Sequence, residues 1–218
     1  VILMIFFQNF DQPSISNGTD AVVFKLNPTF TTLMASTFLG GAAADAAYSI
    51  ELDPSNNVVV CGGTRSADFP TTSGAHIENM IYTGPLPPPI NFTAVDGFIS
   101  VLSNDLSALI SSTRVGTDDY DQAYFLDIDP VGDIYVYGQT KGNLTVSAGV
   151  YSEPNGKQFV QKFSNDLTTP MFTTVFGSGD TVPDISPTAF MVSDCNDIYL
   201  SGWGSDHISV YPQQGNTL

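Results

Sequence analysis

The chain has 218 residues, 42% of them hydrophobic and 11% aromatic, which is enough apolar mass for a packed core and too much for a disordered chain. Six Lys+Arg stand against 22 Asp+Glu, a formal charge of −16; that field repels DNA, RNA and anionic membrane surfaces, and it favours divalent cations. The 19 Gly and 14 Pro, set with Thr, Ser and Asn between short apolar runs, give the punctuation of an all-β chain.

The first element is the run VILMIFF (1–7). It is far shorter than the ~20 residues a membrane-spanning helix needs, and it lacks the basic start and small-residue cleavage site of a signal peptide. It predicts a β-strand whose partners lie upstream in a longer protein, with residues 1–19 as the strand and connection of a preceding unit. A clipped signal sequence is the alternative.

From residue 20 onward the sequence repeats itself. One phrase reads DAVVFKLNPTFTTLMASTFLG (20–40), DGFISVLSNDLSALISSTRVG (96–116) and KQFVQKFSNDLTTPMFTTVFG (157–177). A second follows it as LDPSNNVVVCGGT (52–64), IDPVGDIYVYGQT (128–140) and VSDCNDIYLSGWG (192–204). The first phrase holds two strand-like runs, AVVFKL and LMASTFL in the first copy, joined by the short polar turns NPTF, SNDL and SNDL. A third run alternates, with Tyr48, Ile50 and Leu52 against Ser49, Glu51 and Asp53, which predicts a regular strand with two distinct faces. The fourth run (VVVCG, IYVYG, IYLSG) is β-branched and aromatic, as suits a strand buried on both faces. Between third and fourth stand PSNN, PVGD and DCND, turns that tolerate positive φ. The glycines closing the runs read as turn punctuation, with close packing of neighbours as the other role.

Four strands per unit, repeated, predict four-stranded antiparallel sheets stacked face to face as the blades of a β-propeller. If each blade runs third-fourth-first-second, the chain holds a half blade at 20–40, blades at 44–115 and 120–176, and a half blade at 186–211. Closed propellers have about four to eight blades, so this is a partial ring. Unpaired edges are then expected near Asp20 to Leu39 and near Ile198 to Gly202, covered by further blades of the same polypeptide or by a partner protein.

The string DAVVFKLNP…STFLGG…DAAYSIELDPSNNVVVCGGTRSADFPTTSGA resembles the SBBP-type β-propeller repeat. The second unit keeps Asp96, Ser112, Thr113, Gly116, Asp129, Gly138 and Thr140; the third puts Lys157 for the opening Asp and ends in Trp203-Gly204. DCNDIYLSGWG looks like a variant found in large surface proteins of Bacteroidetes-type bacteria. The resemblance, over about residues 20 to 211, implies an extracellular or cell-surface protein at the bacterial outer membrane. Type IX secretion, adhesion and gliding motility are among the associations it carries.

Chemistry is sparse. There is no Gly-x-Ser-x-Gly, His-Glu-x-x-His, P-loop or Cys-x-x-Cys, and His76 and His207 both fall in connections after a fourth run and read as surface residues. Cys61 and Cys195 occupy different places in the repeated phrase and read as free, mostly buried thiols. Asp118, Asp119 and Asp121 in GTDDYDQ are a calcium candidate, since calcium takes six to eight oxygens; a solvated acidic turn is the other reading, and no other cofactor is implied. Among Tyr120, Tyr124, Tyr135, Tyr137, Tyr199 and Trp203, packing best explains Tyr135 and Tyr199. Trp203 and Tyr120 are the candidates for stacking on a sugar. Asn17, Asn91 and Asn143 begin N-glycosylation acceptor patterns, and Asp180-Thr181-Val182 is similar to a bacterial O-glycosylation acceptor at Thr181. The leading expectation is a non-catalytic propeller segment acting in structural display, adhesion or protein–protein interaction, without nucleic acid or membrane insertion. A carbohydrate-binding propeller is the alternative, and part of a polysaccharide-degrading enzyme the third.

Overall fold

The computed structural model describes residues 2–4, 19–80, 95–180 and 182–204. Among them it contains strands and no helix. The strands β1 (Ile2–Met4), β2 (Ala21–Leu26) and β3 (Leu33–Leu39) form one antiparallel sheet. A second sheet holds β4 (Asp45–Leu52), β5 (Val58–Thr64), β6 (Asp96–Leu102) and β7 (Leu109–Val115) in chain order. The third repeats that order with β8 (Asp121–Ile128), β9 (Ile134–Thr140), β10 (Gln158–Phe163) and β11 (Pro170–Phe176), and β12 (Ile185–Val192) pairs with β13 (Ile198–Gly204). The all-β class and the four-stranded antiparallel sheets expected from the repeat are what the chain forms.

The N-terminal run has a partner downstream. Ile2, Leu3 and Met4 pair with Lys25, Phe24 and Val23, so the edge of Ala21–Leu26 that the strand count left bare is occupied. β1 stands to β2 as β5 stands to β6.

The turns are built by the same side-chain device in each copy. Asp53 Oδ1 accepts from the backbone N–H of Ser55 and of Asn57, both at 2.8 Å. Asp129 does the same for Val131 and Asp133, and Ser193 Oγ for Cys195 and Asp197. The fourth turn residue in each case, Asn56, Gly132 or Asn196, takes positive φ as expected. The hairpins after β2, β6 and β10 instead put Phe30, Leu106 and Leu167 there, with φ of 56°, 60° and 56°. Bulky residues rarely adopt that conformation; Leu106 and Leu167 are held in it by burial.

Alternation along β5 stitches the sheets together. Val58 and Val60 enter a cluster with Ala21, Val23 and Leu39 of the first sheet and Ala47, Phe98 and Leu102 of the second. Val59 and Cys61 point the other way, into a cluster with Ile99 and Val101 that Ala123, Leu126, Val136 and Phe159 of the third sheet complete. The second sheet therefore buries both faces, which one sheet alone cannot do. The connections after β5 and β9 close the outer edges. Thr72 N–H donates to Ser112 O of β7 at 3.0 Å, Arg114 N–H donates to Ile77 O at 3.0 Å, and His76 N–H reaches Leu167 O of the next sheet at 2.8 Å. Along β11, Ser147 and Glu153 N–H groups donate to Thr173 and Val175 carbonyls.

β13 departs from its own sequence pattern. Its equivalents β5 and β9 are buried almost throughout, yet every residue of β13 is exposed. Tyr199, expected in a core, is 54% exposed. The cause is positional: β5 and β9 are flanked on both sides, by β4 and β6 and by β8 and β10, whereas among the described residues β13 pairs with β12 alone.

Candidate functional site

The strands β4, β8 and β12, which open the second, third and fourth sheets, each carry a β-bulge at the same point. Pairing with the neighbour skips Tyr48 between Ala47 and Ser49, Tyr124 between Ala123 and Phe125, and Thr188 between Pro187 and Ala189. The strict alternation expected for residues 48–53 fails for this reason, because an inserted residue shifts the faces and re-aims its own side chain. The bulge also explains three glycines that read as turn punctuation. Gly62, Gly138 and Gly202 lie inside strands, and a Cβ there would collide with the carbonyl oxygen of Ala46, Gln122 or Ser186 respectively. Gly116 and Gly177, with φ of +138° and +130°, are the closing glycines that do serve turns. Gly138→Ala is expected to destabilise the chain by about 3 kcal/mol, because the clash is with the Gln122 backbone carbonyl and with the ring of Phe159, which is fully buried and has no room to swing away. Urea denaturation followed by circular dichroism measures it; a loss near zero would show that the bulge relaxes freely.

The two bulged tyrosines meet between the second and third sheets. Their rings stack at 5.5 Å between centroids and 24° between planes. The Tyr124 hydroxyl lies 3.2 Å from that of Tyr120, and the Lys141 ammonium sits 5.4 Å over the Tyr120 ring. Beside them is a cavity of about 280 Å³ whose lining includes Asp45, Tyr48, Arg65, Tyr120, Gln122 and Tyr124. Asp45 is buried; its Oδ2 accepts from Gly41 N–H and Ser66 Oγ–H, both at 2.7 Å, while Oδ1 has no hydrogen-bond partner. Gln122 is also buried, and its Oε1 is likewise unpartnered. It packs over Gly63, where any Cβ would strike its amide. Burial raises the pKa of both Tyr48 and Tyr124, so the hydroxyls stay protonated.

The sequence candidates scatter around this cavity rather than forming it. Tyr120 lines it. Trp203 is 80% exposed on β13, and the cavity lies between the other sheets. Asp118 and Asp119 are exposed, with Asp119 Oδ1 accepting from Tyr120 N–H at 2.8 Å. Asp121 is fully buried, and its Oδ2 accepts from Thr117 N–H at 2.6 Å and Thr117 Oγ at 3.0 Å. The acidic residue here caps a turn, as Asp45 does for Gly41 and Asp184 for Ser178. Among the described residues no three His, Cys, Asp or Glu side chains form a metal-holding group.

Other candidates resolve one by one. Cys61 is buried, with its thiol pushed well above the usual range by desolvation, whereas Cys195 is exposed, against the expectation of burial. His76 is at the surface with its ring 5.6 Å from Phe163. Tyr135 is core, as expected. Asn143 is exposed. Thr181, His207, Asn17 and Asn91 lie outside the described residues. Tyr48 was missed as a site residue because it fits the alternation of its strand; the signal was Ala-Tyr at the same place in DAAYSIEL and DQAYFLDI.

Comparison with protein-family models and with curated proteins gives no match. The structure itself defines an all-β chain of stacked antiparallel sheets with a tyrosine-walled cavity between two of them.

Proposed function

We propose that the chain is a run of β-propeller blades of the SBBP repeat type, in a bacterial protein that is secreted or displayed at the cell surface, where rigid sheets serve display and adhesion rather than catalysis. The observation that carries this is how the sheets stack. β8 packs over β4, β5 and β6, and β12 packs over β8 and β9. Along β7 and β11, the last strands of the second and third sheets, a connecting segment is hydrogen-bonded to the edge. Close packing at first strands with an added segment at last strands fits layers that fan out around an axis, as blades do. The groups with catalytic potential support the same reading: Cys61 is sealed in a core and His76 leans on Phe163.

In this reading β12 and β13 are the inner half of a further blade. Ile198, Tyr199 and Leu200 then form the edge that a strand equivalent to β6 and β10, from further polypeptide or from a partner protein, would pair with. Static light scattering tests this. The chain is expected to self-associate with rising concentration despite its charge of −16, and Leu200→Lys, which puts a charge on the open edge, is expected to reduce the association. A stable, cooperatively melting monomer would overturn the incomplete ring.

A further inference from the structure

We propose that the cavity beside Tyr48 and Tyr124 binds a neutral sugar residue, the terminal or an internal ring of a surface glycan. The lining selects the ligand by elimination and by complementarity. Arg65 lines the cavity and Lys141 covers Tyr120, so a quaternary or primary ammonium meets like charge. Asp45 lines it too, in a chain of net charge −16, so the attraction of Arg65 for a uronate or phosphate is offset. A neutral ligand remains.

Two acceptors just behind the cavity wall, Asp45 Oδ1 and Gln122 Oε1, are sealed from solvent and have no partner. A small turn of either side chain toward the cavity would let a ring hydroxyl supply the missing donor. Three tyrosines line the cavity; Tyr48 and Tyr124 stack on each other and Lys141 covers one face of Tyr120, so the opposite faces and the ring edges are left for the C–H side of a pyranose, with hydroxyls that donate and accept around its rim. A cavity of about 280 Å³ is at the small end for ligand sites and fits one ring with the rest of the glycan outside.

The placement of these groups is built in. The tyrosines reach the cavity only because both first strands bulge at the same residue, and Gln122 reaches it only because position 63 is glycine. Between the third sheet and β12–β13, Thr188 stands where Tyr124 does here and Gln139 where Gly63 does, so the same site is not repeated there.

This gives a ligand class to the adhesive surface proposed above and rests on that reading for its biological sense, though not for its geometry. The test is titration of the full chain, followed by tyrosine fluorescence and calorimetry, with neutral oligosaccharides (cello-, xylo-, manno- and chito-hexaose), with oligogalacturonate and with tetramethylammonium. Saturable binding of at least one neutral oligosaccharide is expected. Tyr48→Ala should weaken it about tenfold by loss of a stacking face, and Gln122→Ala or Tyr124→Phe about threefold by loss of a polar contact. Unchanged melting temperatures would assign those losses to the site. No heat or quenching with any neutral oligosaccharide at millimolar concentration, tighter binding of oligogalacturonate or tetramethylammonium, or binding undiminished in Tyr48→Ala would each overturn it. None of these outcomes bears on self-association through β13, so the two proposals fail separately.

Discussion

Arg114→Met is expected to lower the free energy of unfolding by about 3–5 kcal/mol, the cost of breaking a buried ion pair from one side. Arg114 is fully buried, with Nη1 3.1 Å from Asp96 Oδ2. Its Nη2 donates to the carbonyls of Ser66 and Ala67, and the guanidinium lies 5.8 Å from the Phe69 ring. One side chain thus neutralises a carboxylate that opens β6 and pins the start of the connection running along β7. Methionine fills much of the volume and leaves Asp96 charged, 1% exposed and deprived of its cation. The double variant Asp96→Leu/Arg114→Met removes both charges and should recover most of the loss, since an apolar pair in place of a buried ion pair is often close to neutral. The other units show how local the pair is: in the matching register Phe38 and Val175 stand where Arg114 does, opposite Val22 and Phe159. Where Asp20 lacks such an arginine, burial raises its pKa, with Asp45 and Asp68 adding to the effect. Urea denaturation of wild type, single and double variants decides the matter; a single-variant loss under about 1 kcal/mol would mean that the pair does not hold the connection.

What the sequence made legible was what repeats. Period-2 runs, polar turns and their spacing specify antiparallel strands because each is a local property of a few residues, and three copies average out the noise. The hidden features depend on geometry between copies. A bulge adds one residue without any special residue type, so Tyr48 reads as an ordinary alternating position; the traces are the shared Ala-Tyr of β4 and β8 and a mid-strand glycine on the neighbour, and a glycine near the end of a run looks like a turn. The αL positions of Leu106 and Leu167 were illegible for a related reason, since nothing local favours leucine there and only the core into which the side chain points repays the strain. The exposure of β13 is the converse case. Its sequence is that of a doubly buried strand, and burial is decided by what lies beside it.

The stability of the chain is expected to fall as pH rises from about 4 to about 7, with Asp121 as the main cause. Desolvation pushes its carboxyl up to about 7, against an ordinary value of 3.8, even though hydrogen bonds from Thr140 and Thr117 pull the other way. Between those two values the folded chain holds a proton that the unfolded chain has released. Protons bound in the folded state exceed those in the unfolded state, so the unfolding free energy decreases with pH across this window and levels off above it. The gap between the two values sets a ceiling of about 4 kcal/mol on the loss. Asp20 and Glu51, both raised by burial, act in the same direction, and so does the growing self-repulsion of a chain with 22 acidic residues. Asp129 and Asp166, whose values are lowered, act oppositely and only as pH falls below the ordinary carboxylate range. Asp121→Asn isolates the one group. The amide oxygen can still accept from Thr117 N–H, and the side chain at position 121 no longer titrates. The variant is expected to match wild type near pH 4, to be the more stable protein at pH 7.5, and to show a shallower slope between. Urea midpoints for both proteins at half-unit steps test it; parallel slopes would place the pH dependence in the general charge rather than in Asp121, and a wild-type midpoint that rises from pH 4 to pH 7 would reverse the sign altogether.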